Sequence, residues 1–343
     1  MDPHINPLLE DTDPLASSRK KDHINLAFES RVEDKEIDHR FYYEPMLAAH
    51  PGEHISLGLD FLGKKLSVPI WVSSMTGGTG IAKVINENLA RACKDFGMGM
   101  GLGSCRSLLS SDEYLDDFNV RSIIGYDLPL YANLGIAQVE RLLTEKKTDL
   151  IIRMIDRLQA DGLIVHVNPM QEWLQPEGDI ISRAPVETIT ELLNHLQLPV
   201  IVKEVGQGFG PASLKALMEL PLAAIDLAAN GGTNFSKLEL LRAGDLYKES
   251  YGPLMNIGHS AEEMLGWLNQ IEMKTVKQII ISGGIRDFLD GYYLISSCKY
   301  PSIYGQASGF LKHARGDYRD LFDYVNLQVE GLKLAKTFLK VRS

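Results

Sequence analysis

GLIVHVNPMQEWLQPEGD, residues 162–179, opens on an unbroken apolar run, Gly162-Leu163-Ile164-Val165, and then within seven residues presents His166, Asn168, Gln171 and Glu172. A run with no polar alternation, ending in polar groups, suits a strand covered on both faces, as in a parallel sheet. Seven more runs of this kind recur along the chain, each ending in Gly, Ser or Asn. They are PIWVSS from Pro69, MGMGLGS from Met98, PLYANLG from Pro129, PVIVKEVG from Pro199, AAIDLAAN from Ala223, QIIISGG from Gln278 and SIYGQAS from Ser302.

The intervals read as helices. Ile81, Val84, Ile85, Leu89 and Phe96 are spaced for one face of a helix that Gly97 can stop, and Ile151, Met154, Ile155 and Leu158 repeat the pattern. Pro211 opens another, and Phe288, Tyr292 and Ile295 form a further stripe. Eight strands alternating with helices predict an α/β fold, a (β/α)₈ TIM barrel. A doubly wound sheet is the alternative. It would carry its glycine fingerprint at the first βα turn, whereas MGMGLGS lies within the second strand. Residues 1–68 read as an N-terminal arm with a basic segment and 69–343 as the barrel. The link between strands six and seven, about 232–277, is long enough for two helices.

At 343 residues and 45% hydrophobic, the chain can bury a large core. A net charge of −10 argues against nucleic acid as a partner. The start, MDPHINPLLEDTDP, resembles neither a secretory signal nor a transit peptide, and no apolar run is long enough to span a bilayer. Cys93, Cys105 and Cys298 are odd in number and widely spaced, which fits free thiols in a reducing compartment. These features predict a cytoplasmic protein with no membrane partner.

In a barrel the C-terminal strand ends form one surface. Ser282-Gly283-Gly284-Ile285-Arg286 after strand seven and Gly305-Gln306-Ala307-Ser308-Gly309 after strand eight are placed to close backbone N–H groups on a phosphate. Lys203, directly after Val200-Ile201-Val202, needs an anion or an electron-rich ring as partner. In the arm, Ser18 can cap a helix on which Arg19 and His23 share a face, a local binder for a second phosphate in an acidic protein.

From Arg19 to about Ala314 the chain resembles the type 2, FMN-dependent isopentenyl-diphosphate isomerases. The shared motifs are Arg19-Lys20 with His23, Met75-Thr76-Gly77-Gly78, Gly103-Ser104 with Arg106, Asn133-Leu134-Gly135, 166–178, Lys203-Glu204, Gly231-Gly232-Thr233-Asn234 and 282–286. The resemblance implies a 1,3-allylic proton shift between isopentenyl and dimethylallyl diphosphates, with FMN held reduced by NAD(P)H, Mg²⁺ required and no net redox change. It implies that Met75, Thr76, Gly77, Ser104, Asn133, Lys203, Thr233, Gly283, Gly284, Arg286, Ala307 and Ser308 hold FMN. Arg19, Lys20, His23, Arg106, His166 and Asn168 would meet the diphosphate, Gln171 would stand beside the reacting carbons and assist the flavin, and Glu172 would bind Mg²⁺. Lys203 would lie near the flavin ring and favour its anionic reduced form, and Glu239 would contact the metal-bound water network. The family also implies a homo-oligomer, a tetramer or octamer.

Three places depart from the family's pattern. Cys105 stands where Gln is usual, 226–230 is less rich in glycine and hydroxyl groups, and 305–309 differs from an Ala-Leu-Pro-like ending. Two other functions compete. An FMN-dependent 2-hydroxy-acid oxidase needs a His base after strand six, where this chain has Asn230-Gly231-Gly232-Thr233. A non-catalytic flavin or prenyl-diphosphate binding protein would keep the pocket without turnover.

Overall fold

The computed structural model of the chain describes residues 16–52, 55–74, 76–272 and 277–342. The chain divides into two compact units, residues 43–341 and residues 1–42 with 342–343. In the smaller unit a helix, Ala16–Leu26, carries Arg19, Lys20 and His23. It already includes Ser18 in its first turns, so Ser18 does not cap it. A short 3₁₀ turn follows at Asp34–Glu36, closed by reciprocal bonds between Glu33 and Glu36.

The larger unit is a closed barrel of eight parallel strands. They are β1 Ile70–Val72, β2 Gly99–Gly101, β3 Leu130–Gly135, β4 Gly162–His166, β5 Val200–Lys203, β6 Ala224–Asp226, β7 Gln278–Ser282 and β8 Ser302–Gln306. All eight fall within the runs marked by the sequence, and β8 pairs with β1 to close the ring. The glycines of β2 have a packing cause. A Cβ on Gly99 would sit 2.3 Å from the Trp71 ring, and one on Gly101 would sit 2.6 Å from Ile164 Cδ1. Large side chains of neighbouring strands fill the space those glycines leave.

Helix α1, Ala82–Phe96, follows β1 and ends at Gly97, whose φ of +66° gives the expected left-handed stop. Its buried face differs from the expected stripe. Ile81 precedes the helix and is exposed, as is Val84, while Ala82, Ile85, Asn86, Leu89, Ala90 and Cys93 are buried. The other helices used below are α2 Ile136–Thr144, α3 Asp149–Leu158, α4 Pro169–Leu174, α5 Pro185–His195 and α6 Pro211–Glu219. Between β6 and β7 lie α7 Phe235–Arg242, α8 Asp245–Tyr251 and α9 Ala261–Leu268. They are followed by α10 Phe288–Ser297, α11 Ser308–Ala314 and the long α12 Tyr318–Phe338.

Among the described residues the β6–β7 link holds three α-helices where two were expected, with a 3₁₀ turn at Gly252–Asn256 between the second and third. Gln207 is one of the residues that fasten this insertion. The Gln207 Nε2 donates to the carbonyls of Ile257 at 2.7 Å and Leu254 at 3.4 Å, its Oε1 accepts from Ser236 Oγ at 2.7 Å, and its backbone carbonyl accepts from the His259 N–H.

At the N-terminal ends of the strands Asp161 gathers charge. It accepts from Arg121 Nη2 at 2.9 Å, Lys64 Nζ at 2.6 Å and the Leu130 N–H at 2.8 Å. Arg121 is almost fully buried, and its remaining N–H groups reach the carbonyls of Gln159, Gly125 and Leu128. Among the described residues no helix is long and apolar enough to cross a membrane.

Candidate active site at the mouth of the barrel

Two glycine pairs face each other at the C-terminal strand ends. A Cβ on Gly231 would lie 2.9 Å from Gly284 Cα, and one on Gly283 would meet the Ala229 carbonyl at 2.0 Å. Gly231, Gly283 and Gly284 all have positive φ, at +107°, +89° and +74°. Bare backbone is therefore required here, both for approach and for conformation. The pairs border a cleft of about 350 Å³ that also takes in Lys203, Thr233, Arg286, Ala307 and Ser308, so seven of the sequence-predicted cofactor positions come together in it. Ser73 and Ser74, at the end of β1, line the same cleft, and Ser73 carried no expectation from the sequence. Their Oγ atoms are buried without a hydrogen-bond partner among the described residues. The signal was the Ser-Ser ending of PIWVSS. Unpartnered hydroxyls, bare backbone and an arginine fit a phosphate-bearing group. Arg286 is anchored for that role, with its Nε 3.0 Å from the Asp290 carboxylate.

Strand register sets the next feature. His166 pairs with Lys203 across β4 and β5, and Lys203 with Asp226 across β5 and β6. Lys203 Nζ donates to the Glu204 carbonyl at 2.6 Å. The anion that its position demanded is supplied in part by Asp226, which is fully buried and accepts a bond from Ser282 Oγ. Burial pushes the Asp226 carboxyl above its ordinary range, against the pull of Lys203 and the Ser282 bond. Glu204 is also pushed up by burial, although its carboxylate accepts from the N–H groups of Gln207, Gly208 and Gly206. His166 goes the other way. Burial first, then the Lys203 charge, lowers it to about 4. Its Nδ1 lies 2.8 Å from Asn133 Oδ1, and because that oxygen can only accept, the proton sits on Nδ1. Asn133 is buried, and its amide also donates to the Leu102 carbonyl at 3.0 Å.

The polar cluster after β4 is organised by α4. Proline at its first position starts the helix, and Asn168 stands just before it. Asn168 Nδ2 donates to Gln171 Oε1 at 3.0 Å and Glu172 Oε1 at 3.1 Å. Gln171 Nε2 in turn donates to Glu239 Oε1 at 3.2 Å, on α7. Asn168 and Gln171 in series thus link two buried carboxylates, Glu172 and Glu239, that lie 67 residues apart in sequence. Glu239 is paired with Arg242 at 2.5 Å, whereas Glu172 has no cationic partner among the described residues and accepts only from Asn168 and the Asp179 N–H. No group of three or more His, Cys, Asp or Glu forms a metal cage among those residues. A buried, unpaired carboxylate fits a Mg²⁺ that keeps waters and leans on phosphate oxygens, the usual manner of that ion.

The remaining predicted positions are spread over neighbouring ground. Gly77, Ser104 and Arg106 line a second cleft with Arg141 and Lys147. Thr76 packs against Gly103, where a Cβ would come within 2.4 Å of the Thr76 carbonyl. Met75 lies outside the described residues. Arg106 Nη1 is 3.0 Å from Asp179 Oδ2. Cys105 is fully buried and its thiol is pushed up to about 12, so it is held as a neutral thiol. His259, which the insertion brings to the end of β6, gives its carbonyl to the Asn230 N–H and packs its ring on Trp267 at 5.0 Å. It does not line the glycine cleft.

No protein-family model matches the chain. The fold is shared with solved flavoenzymes at low sequence identity. A flavocytochrome b2 variant with sulfite bound has a TM-score of 0.59 at 14% identity, covering 87% of this chain and 72% of its own. A mandelate oxidase variant with an FMN adduct has a TM-score of 0.53 at 15% identity, covering 88% of each chain. Curated relatives are more similar in sequence. An isopentenyl-diphosphate delta-isomerase of Rickettsia peacockii (strain Rustic) is 34% identical over 324 residues, 93% of this chain and 92% of the relative. Another, of Synechocystis sp. (strain ATCC 27184 / PCC 6803 / Kazusa), is 33% identical over 328 residues, 92% of this chain and 90% of its own. With identity above 30% over nearly the whole of both chains, this TIM-barrel protein belongs to the isopentenyl-diphosphate delta-isomerase family and is an isomerase.

Proposed function

We propose that the chain interconverts isopentenyl and dimethylallyl diphosphates by a 1,3-allylic proton shift, using reduced FMN and Mg²⁺. The observation that carries this reading is the pairing of a glycine phosphate cradle with the hydrogen-bonded series Glu172, Asn168, Gln171 and Glu239 at the C-terminal strand ends. The cofactor phosphate would rest on Gly283, Gly284, Ala307, Ser308 and Arg286, with Ser73 and Ser74 as further donors. Lys203 and Thr233 would border the isoalloxazine. When bound and reduced, FMN supplies an electron-rich ring that can donate and accept a proton next to cationic charge.

The protein's own part is positional and electrostatic. Adding a proton to an unactivated alkene builds positive charge, which the electron-rich ring and nearby carboxylates would have to stabilise. Gln171, held by Asn168 on one side and Glu239 on the other, would fix the geometry of proton transfer. Glu172 would hold Mg²⁺ against the diphosphate, with Arg106 released from Asp179 to meet the same anion. Arg19, Lys20 and His23 enter this reading as diphosphate ligands from the sequence resemblance alone. His166, neutral and with its Nδ1 proton given to Asn133, has only Nε2 for the substrate, so its contact with a diphosphate would run through water or metal.

A 2-hydroxy-acid oxidase reading finds no support at the site, because the imidazole of His259 does not line the cleft beside β6. The test is an anaerobic assay with isopentenyl diphosphate, Mg²⁺, FMN and NADPH, following dimethylallyl diphosphate with and without the reductant. Product formed only with reduced flavin is the expected result; none despite bound, reduced FMN would reject the reading. In the same assay Glu172→Gln should raise the Mg²⁺ concentration needed for half-maximal rate by about tenfold or more while FMN stays bound. An unmoved Mg²⁺ dependence would remove Glu172 from the metal site.

A further inference from the structure

The turn at 305–309, where the chain leaves its family's pattern, is built around a buried amide. Gln306 is 4% exposed and lines the glycine cleft. Its Nε2 donates to the Ile285 carbonyl at 3.3 Å, one residue beyond Gly283-Gly284. Its Oε1 accepts from Tyr324 Oη at 3.1 Å, and its backbone carbonyl accepts from the Ser73 N–H at 3.0 Å. One residue therefore ties together the end of β1, the turn after β7, the end of β8 and helix α12. Tyr324 is itself fixed. Its ring stacks on His313 at 4.5 Å and 15°, meets Phe310 edge-on at 5.9 Å, and occupies space that only a glycine at 309 leaves, since a Cβ there would lie 2.6 Å from Oη.

We propose that Gln306 and Tyr324 are positioning residues that hold the β7 and β8 halves of the cradle at the separation a phosphomonoester needs. This rests on the reading of that cleft as the FMN phosphate site. The β7 turn packs on the β6 turn through its two positive-φ glycines and is held behind them by Arg286 on Asp290, and the Gln306 amide sets it against the β8 turn. The hydroxyl of Tyr324 orients that amide, because an acceptor oxygen bonded to Oη leaves the NH₂ group facing Ile285.

The test compares FMN with riboflavin, which lacks the phosphate, by quenching of flavin fluorescence and without turnover. The wild-type chain should bind FMN more tightly than riboflavin. Gln306→Leu should raise the Kd for FMN about tenfold and leave that for riboflavin unchanged. Tyr324→Phe keeps the ring and its packing and should weaken FMN alone by about threefold, so it carries the test if Gln306→Leu fails to fold. Equal weakening of both flavins, or no weakening of either, in a wild type that discriminates between them would overturn the positioning role alone. A wild type that binds the two flavins equally would overturn the FMN-phosphate reading of the cleft, and this inference with it.

Discussion

His166 sits at the end of a strand between Asn133 and Lys203, and both burial and the lysine charge keep it neutral. Its folded value of about 4 lies below the value near 6.5 expected of the unfolded chain. As pH falls from about 6.5, the unfolded chain takes up a proton that the folded chain refuses until about 4. Stability from this group is therefore complete above 6.5 and lost across that window, on the order of 3 kcal/mol in all. The raised carboxyls of Asp226 and Glu204 oppose this, since their folded forms take up protons first. His166→Gln should accordingly make the urea midpoint less sensitive to acid between pH 6.5 and 4, by close to one proton's worth of slope. The same slope in both proteins would mean His166 is open to solvent protons. At this scale the sequence showed side chains but not pairings. Gln171 and Glu172 stood out because polar residues follow an apolar run, whereas Asp226, inside AAIDLAAN, gave no sign that it would sit in register with Lys203.

Elements were the most legible part. A strand covered on both faces must be apolar throughout, so all eight could be counted from composition. Helix faces were harder, because apolar spacing assumes that large residues pack inward. In α1 small ones share that face with Ile85 and Leu89: Ala82, Ala90 and Ala92 are buried while Val84 faces water. The turns after β6 and β7 were legible as glycine pairs, but not as surfaces pressed against each other. Gly283→Ala tests that contact. With φ at +89° and the Ala229 carbonyl 2.0 Å from the new Cβ, the turn must move, at a cost of about 2 kcal/mol or more. FMN affinity should fall at least tenfold, whereas Gly63→Ala, with positive φ but nothing within 4 Å of its Cβ, should leave it unchanged. Equal FMN binding by both variants would contradict the packed cradle.

In the whole molecule the two ends of the barrel do different work. The C-terminal end carries the clefts and the polar clusters; the N-terminal end is closed by Asp161 with Arg121 and Lys64. Removing the carboxylate leaves Arg121 buried without a counter-charge, so Asp161→Ala should cost about 3 kcal/mol and lower Tm, while KM and kcat below the transition stay near wild type. A large rise in KM would show that the two ends are coupled. None of this clamp was visible in sequence, since its members lie up to 97 residues apart. The attachment of α7 and the 3₁₀ turn through Gln207 bears on how the molecule loosens. The Gln207 side chain joins Ser236 of α7 to the carbonyls of Leu254 and Ile257, whereas α9 is buried in the core through Met264 and Leu268, so Gln207→Ala should speed amide exchange in α7 and the 3₁₀ turn together and leave α9 and the strands as they are. The chain would then carry, beside its candidate active site, a short stretch that loosens without any loss of the barrel beneath it.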